Sequence, residues 1–185
     1  MPGSNARALE KGRTLPADGL ILDLEDAVAP DAKDNARRQV LAAVKEGGYD
    51  KREIVVRVNG LDTPWGYQDL VMAATSGADA VLLPKVESAI DVRRAEAILE
   101  VAGAPASLAI WCMMETPRGI LHAEEIADSS RRLGAFVMGT SDLAKDLHCA
   151  HTAMRLPVMA SLSLCILAAR AGAGDHRWRT PRSGR

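Results

Sequence analysis

Five short apolar runs in this sequence each end in residues suited to acid–base, metal or anion chemistry. Asp23, Glu25 and Asp26 end the first run, Arg57 the second, Lys85 the third, Glu115 the fourth, and Gly139, Thr140 and Asp142 the fifth. A charge beside a buried apolar segment costs free energy unless it is paired or bound to a metal. One such residue would be ordinary, whereas charges that recur in the same phase predict a functional site.

Two of these carboxylates, Glu115 and Asp142, end neighbouring runs and are predicted to bind one divalent cation. Oxygen ligands alone select a hard cation, Mg²⁺ or Mn²⁺, whose remaining positions hold water or substrate oxygens. The alternative is that one of the two only caps a helix. Asp142 precedes Leu143-Ala144-Lys145, and Asp is a frequent N-cap residue.

Arg57 is predicted to be a fixed cation that stabilises a developing enolate or carboxylate oxygen. The alternative for Arg57 is a structural ion pair with Asp23 or Glu25. At the fifth run, Gly139 and Thr140 are predicted to let backbone N–H groups approach a bound carboxylate.

The apolar runs are predicted to be strands buried on both faces, because most are rich in leucine or β-branched residues and do not alternate with polar ones. The runs cover residues 19–24, 54–58, 80–83, 108–114 and 135–138. Amphipathic patterns predict helices over 31–45, 65–75, 89–101 and 122–132, and a Leu-rich pattern predicts a buried helix over 156–171. Strands that alternate with helices indicate an α/β fold with a parallel sheet and right-handed crossovers.

The regular strand–helix repeat, about 30 residues long, favours a closed barrel over a doubly wound sheet, and five units leave both open. A (β/α)8 TIM barrel needs eight strands, so five strands predict an incomplete barrel, which we expect over residues 1–171. Residues 172–185 contain four arginines and no periodicity, which predicts a disordered, solvated tail. The alternative for this tail is nucleic-acid binding.

The composition argues against several partners. A net charge of −1 and 3% aromatic residues provide neither a basic nor a base-stacking surface for nucleic acid. No apolar run approaches the ~18–20 residues of a membrane span, and the first residues lack the pattern of a secretory signal. Three cysteines without Cys-x-x-Cys spacing favour a reducing, cytoplasmic setting.

Six motifs in a fixed order carry a family resemblance. They are Pro2-Gly3-Ser4, Leu22-Asp23-Leu24-Glu25-Asp26-Ala27-Val28-Ala29-Pro30, Arg57-Val58-Asn59, Leu83-Pro84-Lys85-Val86, Met114-Glu115-Thr116-Pro117-Arg118-Gly119 and Gly139-Thr140-Ser141-Asp142-Leu143. Over about residues 2–170 the sequence resembles the citrate lyase β-subunit-like family. That family includes the malyl-CoA and citramalyl-CoA lyases and lies within the HpcH/HpaI aldolase superfamily.

The resemblance implies a Mg²⁺-dependent TIM barrel, with Mn²⁺ as the alternative ion. Its reaction makes or breaks the bond between the α-carbon of an acyl-CoA and the carbonyl carbon of a keto acid, as in malyl-, citramalyl- or citryl-CoA. The resemblance also implies a homo-oligomer, either a trimer or a hexamer.

The same resemblance assigns roles to individual residues. Glu115 and Asp142 ligate the metal, and Arg57 polarises the carbonyl oxygen and steadies the enolate. Glu115, Gly139 and Thr140 also meet the substrate. The Pro2-Gly3-Ser4 turn and Lys11 meet the CoA phosphates. Glu25 and Asp26 hold metal waters or Arg57, while Asp23 and Lys85 support the site from behind its ligands.

Two departures from the family pattern leave other functions open. Relatives have a strand before the Pro2 turn, and they continue past Ala171 into further strands and a segment that reaches a neighbouring subunit. We therefore expect the isolated chain to be loosely packed and to turn over little. The alternatives are an inactive truncated remnant, or a keto-acid aldolase or phosphoenolpyruvate-type enzyme that uses the same barrel without CoA.

Overall fold

Five parallel strands form one sheet, and their order in the sheet is their order in the sequence. The computed structural model describes residues 1–172. The strands are β1 Gly19–Asp23, β2 Glu53–Arg57, β3 Ala80–Leu83, β4 Ala109–Met114 and β5 Leu133–Met138. The predicted α/β fold with five parallel strands is confirmed.

Eight helices lie before, between and after the strands in this part of the chain. They are α1 Ala6–Gly12, α2 Lys33–Glu46, α3 Gly66–Ala74, α4 Ala89–Val101, α5 Pro117–Leu121, α6 Ala123–Ala127, α7 Thr140–Asp146 and α8 Met159–Ala171. Short 3-10 turns, Pro30–Ala32 and Leu156–Val158, precede α2 and α8.

The helix predicted over residues 122–132 is wrong at both ends. A helix already begins at Pro117, because the Thr116 side chain accepts a hydrogen bond from the Gly119 N–H and proline suits the first helical position. The chain then breaks at His122, and α6 ends at Ala127.

One compact unit contains residues 1–83 and 97–109. Its core is built from fully buried strand and helix residues, among them Leu22, Val40, Val56, Leu70 and Leu82. The first residues pair with β1: the Gly3 N–H donates to the Asp23 carbonyl (2.7 Å) and the Asp23 N–H donates to the Met1 carbonyl (2.8 Å). A Cβ on Gly3 would lie 2.8 Å from that Asp23 carbonyl oxygen, so only glycine fits this close approach.

The second compact unit contains residues 84–96 and the chain from Ile110 onward. Val92, Ile110, Cys112, Ile126 and Leu143 are fully buried in its core. The prediction that α8 is buried is wrong. Cys165 and Ala168 face the core, whereas the leucine and isoleucine side chains between and beside them, Leu164, Ile166 and Leu167, are 45–65% exposed.

The prediction of one domain over residues 1–171 remains a prediction. The tail predicted over 172–185 lies outside the described residues, apart from Gly172. Within residues 1–172, every helix falls short of the length and apolar composition needed to cross a bilayer.

Truncating the β1 core should show how much stability this packing supplies. Leu22 is 0% exposed, so Leu22→Ala should lower the free energy of unfolding by about 2–5 kcal/mol through lost burial and a residual cavity. Leu121→Ala is the matched control, because that side chain is 79% exposed and its loss should change stability by about 0.5 kcal/mol or less. Urea unfolding midpoints measure both, and equal midpoints would contradict the described core.

Candidate functional site

Asp23 and Arg57 face each other as the last residues of two neighbouring strands. Arg57 Nε donates to Asp23 Oδ1 at 2.6 Å and Arg57 Nη2 donates to Asp23 Oδ2 at 2.5 Å, which is the bidentate geometry that suits guanidinium and carboxylate. Glu25 Oε2 lies 3.1 Å from Arg57 Nη1, and Asp26 Oδ2 lies 3.9 Å from it. The ion pair considered as an alternative role for Arg57 is therefore present, with both partners named for it.

Burial and pairing act in opposite directions on these two groups. Burial alone would raise the pKa of Asp23, but hydrogen bonds from Arg57 and from the Glu25 and Ala27 N–H groups hold it below its ordinary value. Burial alone would lower the pKa of Arg57, but the Asp23 hydrogen bonds and charge raise it above its ordinary value. Both groups are therefore charged at neutral pH.

The geometry of the pair leaves part of the Arg57 guanidinium available. Of the five N–H groups of arginine, Asp23 takes two and Glu25 takes one. Asp26 also faces Nη1, so by count at most one further N–H on each terminal nitrogen remains beside these described partners. The Arg57 side chain is 16% exposed, so such a donor would act in a largely desolvated setting.

A buried polar network behind this pair was missed by the sequence analysis. Lys33, 6% exposed, donates from Nζ to the carbonyl oxygens of Leu24 and Glu25 and to Asn59 Oδ1. The Asn59 side-chain amide donates to Asp69 Oδ2 at 2.6 Å, and Arg37 Nε donates to Asp69 Oδ1 at 2.7 Å.

The sequence contained a signal for this network. Lys33 lies on the buried stripe of α2 with Ala36, Val40 and Ala43, where an apolar residue is expected. A lysine in phase with such a stripe indicates a buried cation that needs acceptors. Asp69 gives the same signal in α3, between the buried residues Gly66 and Leu70.

Glu115 follows β4 directly and is 3% exposed. Its Oε1 accepts a hydrogen bond from the Lys85 backbone N–H at 2.9 Å, and Lys85 has a left-handed backbone with φ of 47°. Its side chain also lies against the backbone of Gly139, where an added Cβ would come within 2.6 Å of Glu115 Cβ and would also contact Oε2. The carboxylate thus contacts the backbone of Lys85 and of Gly139, and glycine at position 139 is required by the close approach.

Asp142 lies in the first turn of α7, three residues after Gly139. Its alternative role as a helix cap is wrong, because Gly139 is the N-cap and no side chain caps this helix. The Gly139 N–H donates to the Met114 carbonyl oxygen at 3.2 Å, so Thr140 is left to carry the predicted N–H contact with a substrate carboxylate.

Glu115, Gly139 and Asp142 fit a hard divalent cation by their chemistry. Glu115 and Asp142 offer only oxygen ligands, and Gly139 leaves space that a side chain would fill. Within residues 1–172 no cluster of three or more His, Cys, Asp or Glu side chains could hold a metal. A site of two protein carboxylates completed by water and substrate remains the prediction.

The predicted CoA contacts lie along α1. Pro2 forms a parallel bridge with Asp23, Ser4 is half-buried, and Asn5 caps α1 by accepting from the Ala8 N–H. Lys11 lies in the last turn of α1, so about 7.5 Å of helical rise separates it from Ala6 at the start of the helix. The assignment of these residues to CoA remains a prediction.

Asp23 should make stability depend on pH. Asp23→Asn should cost on the order of 2 kcal/mol at neutral pH, because Arg57 loses its bidentate partner. Since the folded pKa lies below the ordinary value of 3.8, the contribution of Asp23 is present above about pH 4 and is lost as the pH falls through the folded pKa.

The stability difference between the wild-type protein and Asp23→Asn should therefore be constant from about pH 7 to pH 5 and shrink toward pH 3. Urea unfolding across this range measures it. Asp26→Asn is the control, because Asp26 is 56% exposed and lies 3.9 Å from Arg57. A difference that grew on acidification would contradict the direction of the pKa shift.

Comparison with known proteins places these residues in a family. Residues 1–175 match the family described as HpcH/HpaI aldolase/citrate lyase. The (3S)-malyl-CoA thioesterase of Cereibacter sphaeroides (strain KD131 / KCTC 12085) is 48% identical over 171 residues, which are 92% of this chain and 58% of the relative. The citrate lyase subunit beta of Escherichia coli (strain K12) is 41% identical over 152 residues, 80% of this chain and 50% of the relative.

A solved structure shows the same likeness. Protein CitE from Mycobacterium tuberculosis in complex with magnesium and acetoacetate superposes with a TM-score of 0.73 at 29% identity, covering 94% of this chain and 68% of that one. The chain spans about 50–58% of the length of these curated relatives. Since the family match covers residues 1–175 of 185, the chain belongs to the HpcH/HpaI aldolase/citrate lyase family of enzymes.

Proposed function

We propose that the whole protein is a Mg²⁺-dependent carbon–carbon lyase acting on a 3-hydroxyacyl-CoA of the malyl-, citramalyl- or citryl-CoA type. The observation that carries the proposal is the buried Glu115 carboxylate, held by the Lys85 N–H and the Gly139 backbone three residues before Asp142. Relatives named malyl-CoA thioesterase and citrate lyase subunit beta support a CoA-linked substrate, and the CitE complex with magnesium and acetoacetate supports a keto acid and a metal.

The proposal gives Glu115 and Asp142 the role of metal ligands. Mg²⁺, or Mn²⁺ in its place, supplies positive charge that polarises a substrate oxygen. The residues around the ligands keep them in place: the Lys85 N–H fixes one oxygen of Glu115, and α7 presents Asp142 at its positive end.

Arg57 is assigned the role of stabilising the negative charge that develops on the substrate during cleavage. The 3-hydroxyl group loses its proton and becomes the carbonyl of the keto acid as the bond between the α- and β-carbons breaks. The electron pair of that bond moves onto the acyl group to give an enolate, which then takes up a proton at its α-carbon to form the acyl-CoA. The guanidinium of Arg57 is suited to stabilise the enolate oxygen, because Asp23 and Glu25 already fix its plane. No reorganisation of the cation is then needed at the moment of reaction.

Thioester hydrolysis is a second candidate function, favoured by the relatives named (3S)-malyl-CoA thioesterase at 47–48% identity. The products distinguish the two reactions with one substrate. Cleavage of malyl-CoA as a lyase releases glyoxylate and acetyl-CoA and no free thiol. Hydrolysis releases malate and the thiol of CoA.

Parallel detection of glyoxylate as a hydrazone and of thiol with a disulfide reagent therefore decides between these functions. We expect glyoxylate and acetyl-CoA in equal amounts, without early thiol release. Free malate and citramalate, offered without CoA, should be left intact. Their cleavage would favour the CoA-independent aldolase, and thiol release alone would favour the thioesterase.

Removing either metal ligand should abolish metal binding. Glu115→Gln and Asp142→Asn each replace a charged ligand with a neutral one, so Mn²⁺ binding and malyl-CoA cleavage should both be lost. A strong chelator should likewise abolish cleavage by the wild-type protein. Calorimetric titration with Mn²⁺ reads the first effect without substrate. Asp146→Asn, in the same helix but exposed, is the control and should bind Mn²⁺ as the wild type does.

Replacing Arg57 should separate metal binding from turnover. Arg57→Ala should leave Mn²⁺ affinity largely intact and lower kcat by ~10²–10³, the usual loss for one preorganised charge. Steady-state kinetics and the same titration measure the two quantities. Full activity in Arg57→Ala would refute the role assigned to this residue.

A further inference from the structure

We propose that Lys33 is a positioning residue: its ammonium group fixes the Leu24–Glu25 backbone so that the Glu25 carboxylate holds the Arg57 guanidinium in its reactive orientation. The inference rests on the function proposed for Arg57. It assigns Lys33 no contact with the substrate, and its effect passes through Glu25.

The contacts of Lys33 specify its position completely. An ammonium group has three N–H donors, and all three have acceptors: the Leu24 and Glu25 carbonyl oxygens at 2.8 Å each and Asn59 Oδ1 at 2.7 Å. The ammonium nitrogen also lies 5.3 Å from the centre of the Trp65 ring. A cation with every donor satisfied cannot move without breaking a buried hydrogen bond.

Two of these acceptors belong to the segment that surrounds Arg57. The Glu25 N–H donates to Asp23 Oδ1 and the Ala27 N–H donates to Asp23 Oδ2, so the chain after β1 folds back around its own carboxylate. The Glu25 side chain then meets Arg57 Nη1. Lys33 holds the carbonyl side of this segment, and Asp23 holds its N–H side.

The remaining acceptor ties the segment to two further elements. The Asn59 amide donates to the Leu24 carbonyl and to Asp69 of α3. Asp69 in turn pairs with Arg37 of α2. Lys33 therefore connects the backbone beside Glu25 to a rigid helix framework.

A purely stabilising role would not require lysine at this position. The neighbouring positions of the buried stripe are filled by Ala36, Val40 and Ala43, which pack without any desolvation cost. Burying an ammonium group is unfavourable unless its charge and hydrogen bonds are used. Both are used on the segment that carries Glu25, which is the reason for assigning Lys33 to the site and not only to the core.

The test compares Lys33→Met with Lys45→Met, a change on the exposed face of the same helix. The first readout needs no substrate: guanidinium NMR measures rotation of Arg57 about its Nε–Cζ bond, with the signals assigned by their loss in Arg57→Lys. We expect rotation to be slow in the wild-type protein and at least about tenfold faster in Lys33→Met. Lys45→Met should match the wild type.

The second readout is kinetic. In Lys33→Met, kcat for malyl-CoA cleavage should fall by about 10–100-fold, while KM and Mn²⁺ affinity stay within about twofold of the wild type. A lower melting temperature with unchanged rotation and unchanged kcat would overturn the proposal, because Lys33 would then only stabilise the fold. If Lys33→Met does not fold, Lys33→Arg, which keeps the charge but not the three divergent donors, is subjected to the same measurements.

Failure of the proposed function is distinguishable from failure of this inference. If the wild-type protein does not turn over malyl-CoA, the lyase proposal fails, and the rotation of Arg57 still decides the role of Lys33. Slow rotation in the wild type that persists in the Lys33 variant refutes the positioning role of Lys33. Slow rotation that is lost in the variant supports it.

Discussion

Asp23 at the end of β1 and Arg57 at the end of β2 form a bidentate ion pair. Neither side chain could exchange this partner for water. Each group is largely removed from solvent, and each shifts the pKa of the other toward the charged form against the effect of burial. The polar contacts around the end of β1 build on this pair. The chain after Asp23 folds back to complete the coordination of its carboxylate, Glu25 occupies a third nitrogen of Arg57, and Lys33 compensates the acids that accumulate there.

Glu115 in the second unit obeys a different constraint. Its carboxylate is buried and accepts a hydrogen bond from the Lys85 N–H, and the adjacent backbone is glycine because no side chain fits beside it. Lys85 adopts a left-handed backbone conformation to deliver that N–H, which costs about 1–2 kcal/mol for a residue other than glycine. Such a cost is found where the surrounding structure requires a backbone group to point in one direction. Here the Lys85 N–H must point at the Glu115 carboxylate, which the proposed function assigns to a cation.

The sequence predicted the strands well because strands buried on both faces have a plain apolar signature, and the residues that end them could be read directly. Asp23, Arg57 and Glu115 were identified in this way. The helix over 122–132 was misplaced because a local cap, Thr116 with Pro117, overrode the apolar period. Lys33 and Asp69 were missed because their roles depend on partners that are distant in the chain. The acceptors of Lys33 lie 8 to 26 residues away and the donors to Asp69 lie up to 32 residues away, and spacing within one helix does not show them. Gly139 was assigned an available N–H that the sheet already uses.

Carbon–carbon cleavage and thioester hydrolysis place negative charge on the same atom, the oxygen of the acyl group. In the first reaction the charge belongs to an enolate, and in the second to a tetrahedral adduct of water. A fixed guanidinium would stabilise either oxygen, so the Asp23–Arg57–Glu25 arrangement alone does not distinguish a lyase from a thioesterase. What distinguishes them is whether water can reach the acyl carbon, since hydrolysis requires it and cleavage does not. On this argument the proposed lyase reaction and thioester hydrolysis would use the same charge framework, and the residues that control water would decide between them.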